Sequence, residues 1–294
     1  MRYTIYMDAA HSYELHRAET EAYAGTIPSI MQKRDTIDAH IHRRLNDLVR
    51  PLVIADRSAS WLTVGDFGGD AYYLAMEGAT AVTASSISDT QLLAIKSIGY
   101  LSGVQIRALN AENMDLPDDA FDYVLCKQAF HHLPRPMIAF YELLRVARRG
   151  VLFLEPVDEP KRAFDFLRGV VKRILRGDDA NAQLFETVGN FMYRLSTNEI
   201  FKAACALQLS AMAVRHINVF SWARLSPYDY RRSLARVIYE LGCKSQDVLT
   251  ATKLMSPGFV ACFIAKAPLT NTIASELRLS GYRVISIPKN PYLG

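Results

Sequence analysis

The sequence predicts an α/β fold with a doubly wound, mostly parallel sheet. Three observations predict it. Short apolar runs alternate with stretches of helical periodicity along the chain. The first such run, Trp61-Leu62-Thr63-Val64, passes directly into a glycine-rich turn and a helix start, Gly65-Asp66-Phe67-Gly68-Gly69-Asp70-Ala71. Half of the 294 residues are hydrophobic and 22% are charged, so the chain can bury a large core.

The elements follow in order. Residues 1–34 are polar and carry Tyr3, Tyr6, Tyr13 and Tyr23, the pattern of a surface arm packed by its aromatics. Ile37, Ile41, Leu45, Leu48 and Val49 recur at helical steps, which predicts a helix over 35–50 that Pro51 stops. His40 and His42 fall off that stripe and are expected in solvent. Trp61 to Val64 is aromatic and β-branched, as a strand buried on both faces requires. Gly65, Gly68 and Gly69 allow a sharp turn, Asp70 is placed as the N-cap, and Gly78 ends the helix. Residues 81–85 read as a second strand. Ser88 and Gln91 fit a capping box for a helix carrying Leu92, Leu93, Ile95 and Ile98 and closed by Gly99. Residues 104–109 and 121–126 are the third and fourth strands, separated by a polar turn. A loop over 128–135 leads to Pro136, which opens a helix ending at Gly150. Residues 151–154 form a fifth strand that stops at Glu155-Pro156.

Residues 157–208 read as helical, with a break at Gly177-Asp178-Asp179. Within them, 161–176 reads as an amphipathic helix with a solvated basic face. Later strands are expected at 211–219 and 258–265, with a helix at 227–241 between them. The tail adds a helix and a strand at 282–287.

Composition excludes several classes. The net charge is +4, but Lys and Arg are scattered, so no nucleic-acid surface is indicated. Cys126, Cys205, Cys243 and Cys262 form no paired motif and read as reduced core residues, with no metal site. No apolar run reaches the ~18 residues of a membrane span. With no signal pattern at the N-terminus, a cytoplasmic protein without a membrane span is expected.

Ligands of such sheets bind beyond the carboxyl ends of the strands. Those ends are 65–69, 85–86, 110–112, 127–132 and 155–156. A strand, a glycine turn and a helix N-terminus make a nucleotide or nucleoside site, unless the glycines serve the turn alone. Further pieces are Asn110-Ala111-Glu112 with Leu116-Pro117 and Phe121-Asp122, then His131-His132-Leu133-Pro134-Arg135-Pro136 with Glu142-Leu143-Leu144-Arg145-Val146. In their order and spacing, and with Glu155-Pro156, they resemble class I S-adenosylmethionine-dependent methyltransferases of the small-molecule, type 11-like group. The resemblance covers roughly residues 55–156 and the late strands.

The resemblance implies a Rossmann-like, seven-stranded sheet whose last strand is antiparallel. It implies an N-terminal arm or lid over 1–50 and a methyltransferase-like domain over 51–268, with a helical insertion at 157–208 and a cap segment at 220–257. Residues 269–294 are an extension. S-adenosyl-L-methionine is the implied cofactor. Gly65, Gly68 and Gly69 would lie against its amino-acid end and Asp66 would hold its ammonium. Asn110, Ala111 and Glu112 would meet the adenine, and Lys127 and Gln128 would lie beneath the sulfur. Ser86, or Ser85 in a shifted register, stands where the family carries an acid for the ribose hydroxyls. Phe67 stands where a glycine is common.

The implied reaction is methyl transfer to a small-molecule acceptor, a hydroxyl first, on a glycan precursor or a secondary metabolite. His132 or His131 would act as base, or one of them packs and caps the following helix; Glu155 would act as base or shape the pocket. Phe164, Phe166, Phe185, Phe191, Tyr193, Phe220, Trp222, Tyr228 and Tyr230 line an acceptor pocket or join the core. A homodimer is compatible with the sequence. A binding or scaffold protein on a degenerate methyltransferase fold is the alternative.

Overall fold

The computed structural model describes residues 9–33, 35–176, 184–186, 190–221, 224–231 and 233–292. Tyr3, Tyr6, the Gly177-Asp178-Asp179 break and Trp222 lie outside them. In chain order the elements are α1 (Ala9–Tyr23), α2 (Ile27–Gln32), α3 (Ile37–Asn46), α4 (Arg50–Ala55), β1 (Ser60–Val64), α5 (Gly69–Met76), β2 (Ala81–Ser86), α6 (Thr90–Ser97), β3 (Gln105–Ala108) and β4 (Phe121–Lys127). A 3-10 turn at Phe130–His132 leads to α7 (Pro136–Val146), β5 (Ala147–Pro156), α8 (Ala163–Arg176), α9 (Thr197–Ala206), β6 (Ala211–Ile217), α10 (Ser233–Ala251), β7 (Phe259–Ala265), α11 (Asn271–Leu279) and β8 (Arg283–Ser286).

The sheet runs β3-β2-β1-β4-β5-β7-β6-β8. The first five strands in that order are parallel, and β7 lies antiparallel between β5 and β6. Alternate strand residues go to opposite faces. Trp61 packs with Tyr123, Leu125, Leu152 and Phe263 on one face. Leu62 and Val64 pack with Val124, Cys126, Val151 and Phe153 on the other. Both faces are covered by helices, so the central strands read as continuous apolar runs.

Among the described residues the sheet has eight strands, one more than the resemblance implies. The tail strand β8 adds to the edge, antiparallel to β6, from Ala211 opposite Ser286 to Val214 opposite Arg283. It covers an edge that would otherwise leave backbone groups unpaired. The buried Tyr282 fixes its approach by donating its hydroxyl to the Leu48 carbonyl at 2.6 Å.

Five local expectations are corrected. Pro51 does not stop a helix: α3 ends at Asn46, and Pro51 sits in the first turn of α4, where its missing N–H is harmless. Gly150 does not end α7, which passes directly into β5. Gly150 lies within β5, where a Cβ would stand 2.4 Å from the Ile264 carbonyl oxygen and 2.6 Å from the Phe263 ring. Residues 157–208 are not helical throughout, because Phe185 bridges Phe191 and Val157 bridges Leu195 in extended pairings. The later helix is displaced from 227–241 to α10, and His40 stacks on Tyr230 with ring centroids 3.5 Å apart.

The Gly150→Ala variant should lose about 1–3 kcal/mol of stability, the usual cost of an overpacked core, in urea unfolding. An unchanged midpoint would show that β5 and β7 do not approach as closely as described.

Candidate functional site

The strand order places a switch point between β1 and β4, because the chain winds from β1 to β3 in one direction and returns to β4 on the other side. A cavity of about 610 Å³ opens there. The carboxyl ends of the strands contribute Val64, Gly65, Ser86, Asn110, Ala111, Cys126 and Gln128. Helix α1 contributes Tyr13, His16, Glu19, Thr20 and Tyr23. His132, Leu133, Phe185 and Glu186 also line it.

The glycine turn is built around Asp66. Its buried carboxylate accepts from the Thr63 hydroxyl at 2.8 Å and from the backbone N–H groups of Gly68 at 2.6 Å, Asp70 at 3.2 Å and Ala71 at 2.8 Å. Asp66 therefore caps α5 and does not face the cavity. Asp70 is not the N-cap; that position is Gly68, at φ 93°, where a left-handed backbone favours glycine. Burial, then the neighbouring Asp70 charge, push the Asp66 carboxyl up to about 6. Gly65, at φ 67°, admits Ala129: a Cβ there would stand 2.4 Å from the Ala129 Cβ. A Cβ on Gly68 would meet Ile95 at 2.6 Å. Of the turn, Gly65 and the half-exposed Phe67 line the cavity; Gly68 and Gly69 do not.

Other expected contacts divide in the same way. Ser85 donates to the Thr63 carbonyl at 2.7 Å, which leaves Ser86 as the serine on the cavity wall. Asn110 Oδ1 accepts from the Glu112 N–H at 2.9 Å, and Asn110 and Ala111 line the cavity. Glu112 turns away: its buried carboxylate accepts from the Arg135 backbone N–H and from Arg135 Nε, each at 2.7 Å. Arg135 also donates to the Tyr13 hydroxyl of α1 at 3.3 Å. Lys127 is buried against Asp70, Nζ to carboxylate 2.5 Å, and is likewise outside the cavity. Gln128 does line it. Its backbone is left-handed at φ 50°, and its Oε1 is buried without a hydrogen-bond partner among the described residues.

The two histidines separate. His131 Nδ1 bonds Glu155 at 2.6 Å. Glu155 also accepts the Ala129 and Phe130 N–H groups at 2.9 and 3.0 Å, so it is the residue that shapes the turn after β4. His132 faces the cavity, its Nδ1 bonded to Glu186. Burial lowers its basicity, but the Glu186 hydrogen bond and charge outweigh this and raise its pKa above the usual histidine value. His16 of α1 stands 3.9 Å from the other Glu186 oxygen, and burial lowers its pKa. Among the described residues no group of His, Cys, Asp and Glu is arranged to hold a metal. Of the candidate acceptor aromatics, Phe185 reaches the cavity, whereas Phe164 and Phe166 are exposed on α8.

Polar contacts hold α1 over this wall. Gln91 Nε2 donates to the Thr20 carbonyl at 2.5 Å and Ser88 donates to Glu21 at 3.1 Å. No capping box forms, because both residues that suggested it are turned to α1; Asp89 is the N-cap of α6. Ser12 donates to Asn190 Oδ1 at 2.8 Å, and Asn190 Nδ2 donates to the His132 carbonyl at 2.8 Å. Sequence reasoning missed Glu186, Asn190, His16 and Glu19. They lie on a helix of weak amphipathicity and in an irregular insertion, where no periodicity marks them.

Comparisons with known proteins bear on the fold that carries this cavity. Residues 62–155 match the family model described as Methyltransferase domain. The match runs from β1 to β5, about a third of the chain, and this segment is similar to the methyltransferase-domain family. No curated protein matches it in sequence. Among solved structures, it is similar to a candidate methyltransferase in complex with the Haloferax volcanii Trm112 methyltransferase activator, at 14% identity and a TM-score of 0.51, over 87% of this chain and 99% of that one. It is also similar to magnesium protoporphyrin IX methyltransferase of Synechocystis PCC 6803, solved with bound S-adenosylhomocysteine, at 13% identity and a TM-score of 0.47, over 78% and 85% of the two chains. The matched residues run from β1 to β5 and so include every strand end that lines the cavity. No helix among the described residues is long and apolar enough to cross a membrane.

A carboxyl-carbon NMR titration should give Asp66 a midpoint near 6. The stability it contributes should fall as pH rises towards that value, because between the ordinary carboxyl range and 6 the folded chain keeps a proton that the unfolded chain has released. A midpoint in the ordinary range would show that Asp66 is not buried beside Asp70.

Proposed function

We propose that this methyltransferase domain binds S-adenosyl-L-methionine in the switch-point cavity and methylates a hydroxyl group of a small molecule. The observation that carries the proposal is the His132–Glu186 pair on the wall of that cavity.

The lining suits the cofactor. Among the described residues it has no Lys or Arg and carries the carboxylates of Glu19 and Glu186, which favours a ligand with positive charge. Its apolar surfaces, Val64, Phe67, Ile87 and Leu109, suit a nucleoside. Asn110 and Ala111 would hold the adenine edge, Ser86 a ribose hydroxyl, and the unpartnered Gln128 amide a donor of the amino-acid end. When bound, the cofactor supplies an electrophilic methyl carbon on a sulfonium. Helix α1 acts as the lid, tied down through Thr20, Glu21, Tyr13 and Ser12, and it excludes water from the site.

His132 supplies the base. Glu186 holds Nδ1 and fixes the tautomer, so Nε2 is left to take the proton from an acceptor hydroxyl. The carboxylate also stabilises the imidazolium that forms. His131 does not share this role, since it does not line the cavity.

Calorimetric titration with S-adenosylhomocysteine should show one site that Gln128→Ala weakens. No binding up to millimolar ligand would favour a scaffold on this fold instead. With an acceptor in hand, kcat should rise with pH through a midpoint above 6.5, the ordinary histidine value, because the base must be neutral and Glu186 raises its pKa. Glu186→Gln should move that limb to lower pH, and His132→Ala should lower kcat by about 10²–10⁴. A profile unchanged by both variants would remove the pair from catalysis.

A further inference from the structure

Helix α8 stands apart from the rest of the chain in how little of it is covered. From Ala163 to Val171 every residue except Asp165 is exposed. A helix that packs on a core hides its apolar stripe. Here Phe166 is 63% exposed, Leu167 59% and Val170 56%, with Phe164 and Val171 also open to solvent. At 100° per residue these positions fall on one side of the helix and Arg168 falls on the other. The sequence of α8 carries three more bases, Lys172, Arg173 and Arg176. From Phe164 to Val171 the apolar side is thus uncovered, and every charged residue of the helix except Asp165 is a base.

The helix is held in place at its start. Asp165 accepts from the Arg162 N–H at 2.8 Å and from the Ser256 N–H at 2.9 Å, and Ser256 donates its hydroxyl to the Pro160 carbonyl at 2.7 Å. The Phe164 N–H donates to the Leu254 carbonyl at 3.0 Å, which sets the half-exposed Leu254 beside the first turn. The one acid of α8 is therefore engaged by the protein itself, and the helix presents no acidic group to offset its bases.

We propose that α8 is an interfacial helix that docks this protein on an anionic lipid surface, its apolar side in the acyl boundary and its basic side among the head groups. Charge decides the occupant. A second copy laid against the apolar side would leave the bases of α8 facing away from it, with no acid to pair them. A bilayer surface rich in phosphatidylglycerol or another anionic lipid supplies the missing charge along the whole helix, together with an apolar phase for Phe166, Leu167 and Val170. The helix has 14 residues, too short to span the bilayer and sufficient to lie in its surface. The proposal is independent of what the cavity binds.

Vesicle co-sedimentation of the full chain tests it, with vesicles of phosphatidylcholine alone and vesicles also containing phosphatidylglycerol. The protein should sediment with the anionic vesicles at low salt, and binding should weaken as salt rises. It should stay in the supernatant with phosphatidylcholine. The double variant Phe166→Glu, Val170→Glu should reduce binding about tenfold or more. Arg168→Glu should reduce it less, and thermal melting should stay unchanged, since all three side chains are exposed. No binding to anionic vesicles would overturn the proposal, as would binding indifferent to the double variant. A concentration-dependent dimer that the double variant abolishes, without vesicle binding, would assign the helix to a second copy instead.

Discussion

The turn after β1 depends on one buried carboxylate. Asp66 gathers the Thr63 hydroxyl and three backbone N–H groups of the turn and of α5. Those N–H groups belong to a helix N-terminus and would otherwise be unpaired in the core. With the carboxylate inside, the turn closes without a ligand, Gly65 comes against Ala129, and the start of α5 sits beside β4. Asp70, in that first turn, can then meet Lys127 at the end of β4. The two central strands are thus joined across the switch point by polar groups belonging to the protein, and the cavity lies on a wall that is already set.

A second carboxylate does the same one strand further. Glu155 ends β5 and holds the Ala129 and Phe130 N–H groups and the His131 ring. The turn after β4 is fixed with His131 directed inward and His132 directed to the cavity. Helix α1 is tied to the start of α6 through Thr20 and Glu21, to Arg135 through Tyr13 and to Asn190 through Ser12. The site is therefore assembled from the rigid ends of parallel strands on one side and from separately anchored pieces on the other: α1, and the segment that carries Glu186 and Asn190. Such pieces, with few buried apolar contacts, are suited to opening for a ligand.

The strands and their order of appearance were legible because buried parallel strands are continuous apolar runs and because glycine and proline mark their ends. The turn residues were legible as a set but not in their direction. Nothing in Gly-Asp-Phe-Gly-Gly-Asp says that the first aspartate turns inward as a cap, or that the second pairs with a lysine distant in sequence. Glu112 was misread for the same reason, since Arg135 claims its carboxylate only once the loop after β4 has folded back. Ser88 and Gln91 had the spacing of a capping box, but the backbone they satisfy belongs to α1. Gly150 resembled a helix end, whereas close packing of β7 requires it. The eighth strand was visible as a strand, but its place in the sheet depended on an edge that only the tertiary fold creates. Glu186 carried no signal, because a lone glutamate in an irregular segment has no period and no motif.

The central claim is that the switch-point cavity beneath α1 is the cofactor site. A crystal structure of the chain grown with S-adenosylhomocysteine tests it most directly. The account predicts the ligand in that cavity, its adenine at Asn110 and Ala111, its amino-acid end at Gln128, and the turn of Asp66 unmoved. A ligand bound elsewhere, or a cavity closed by Phe67 with the ligand absent at saturating concentration, would contradict it.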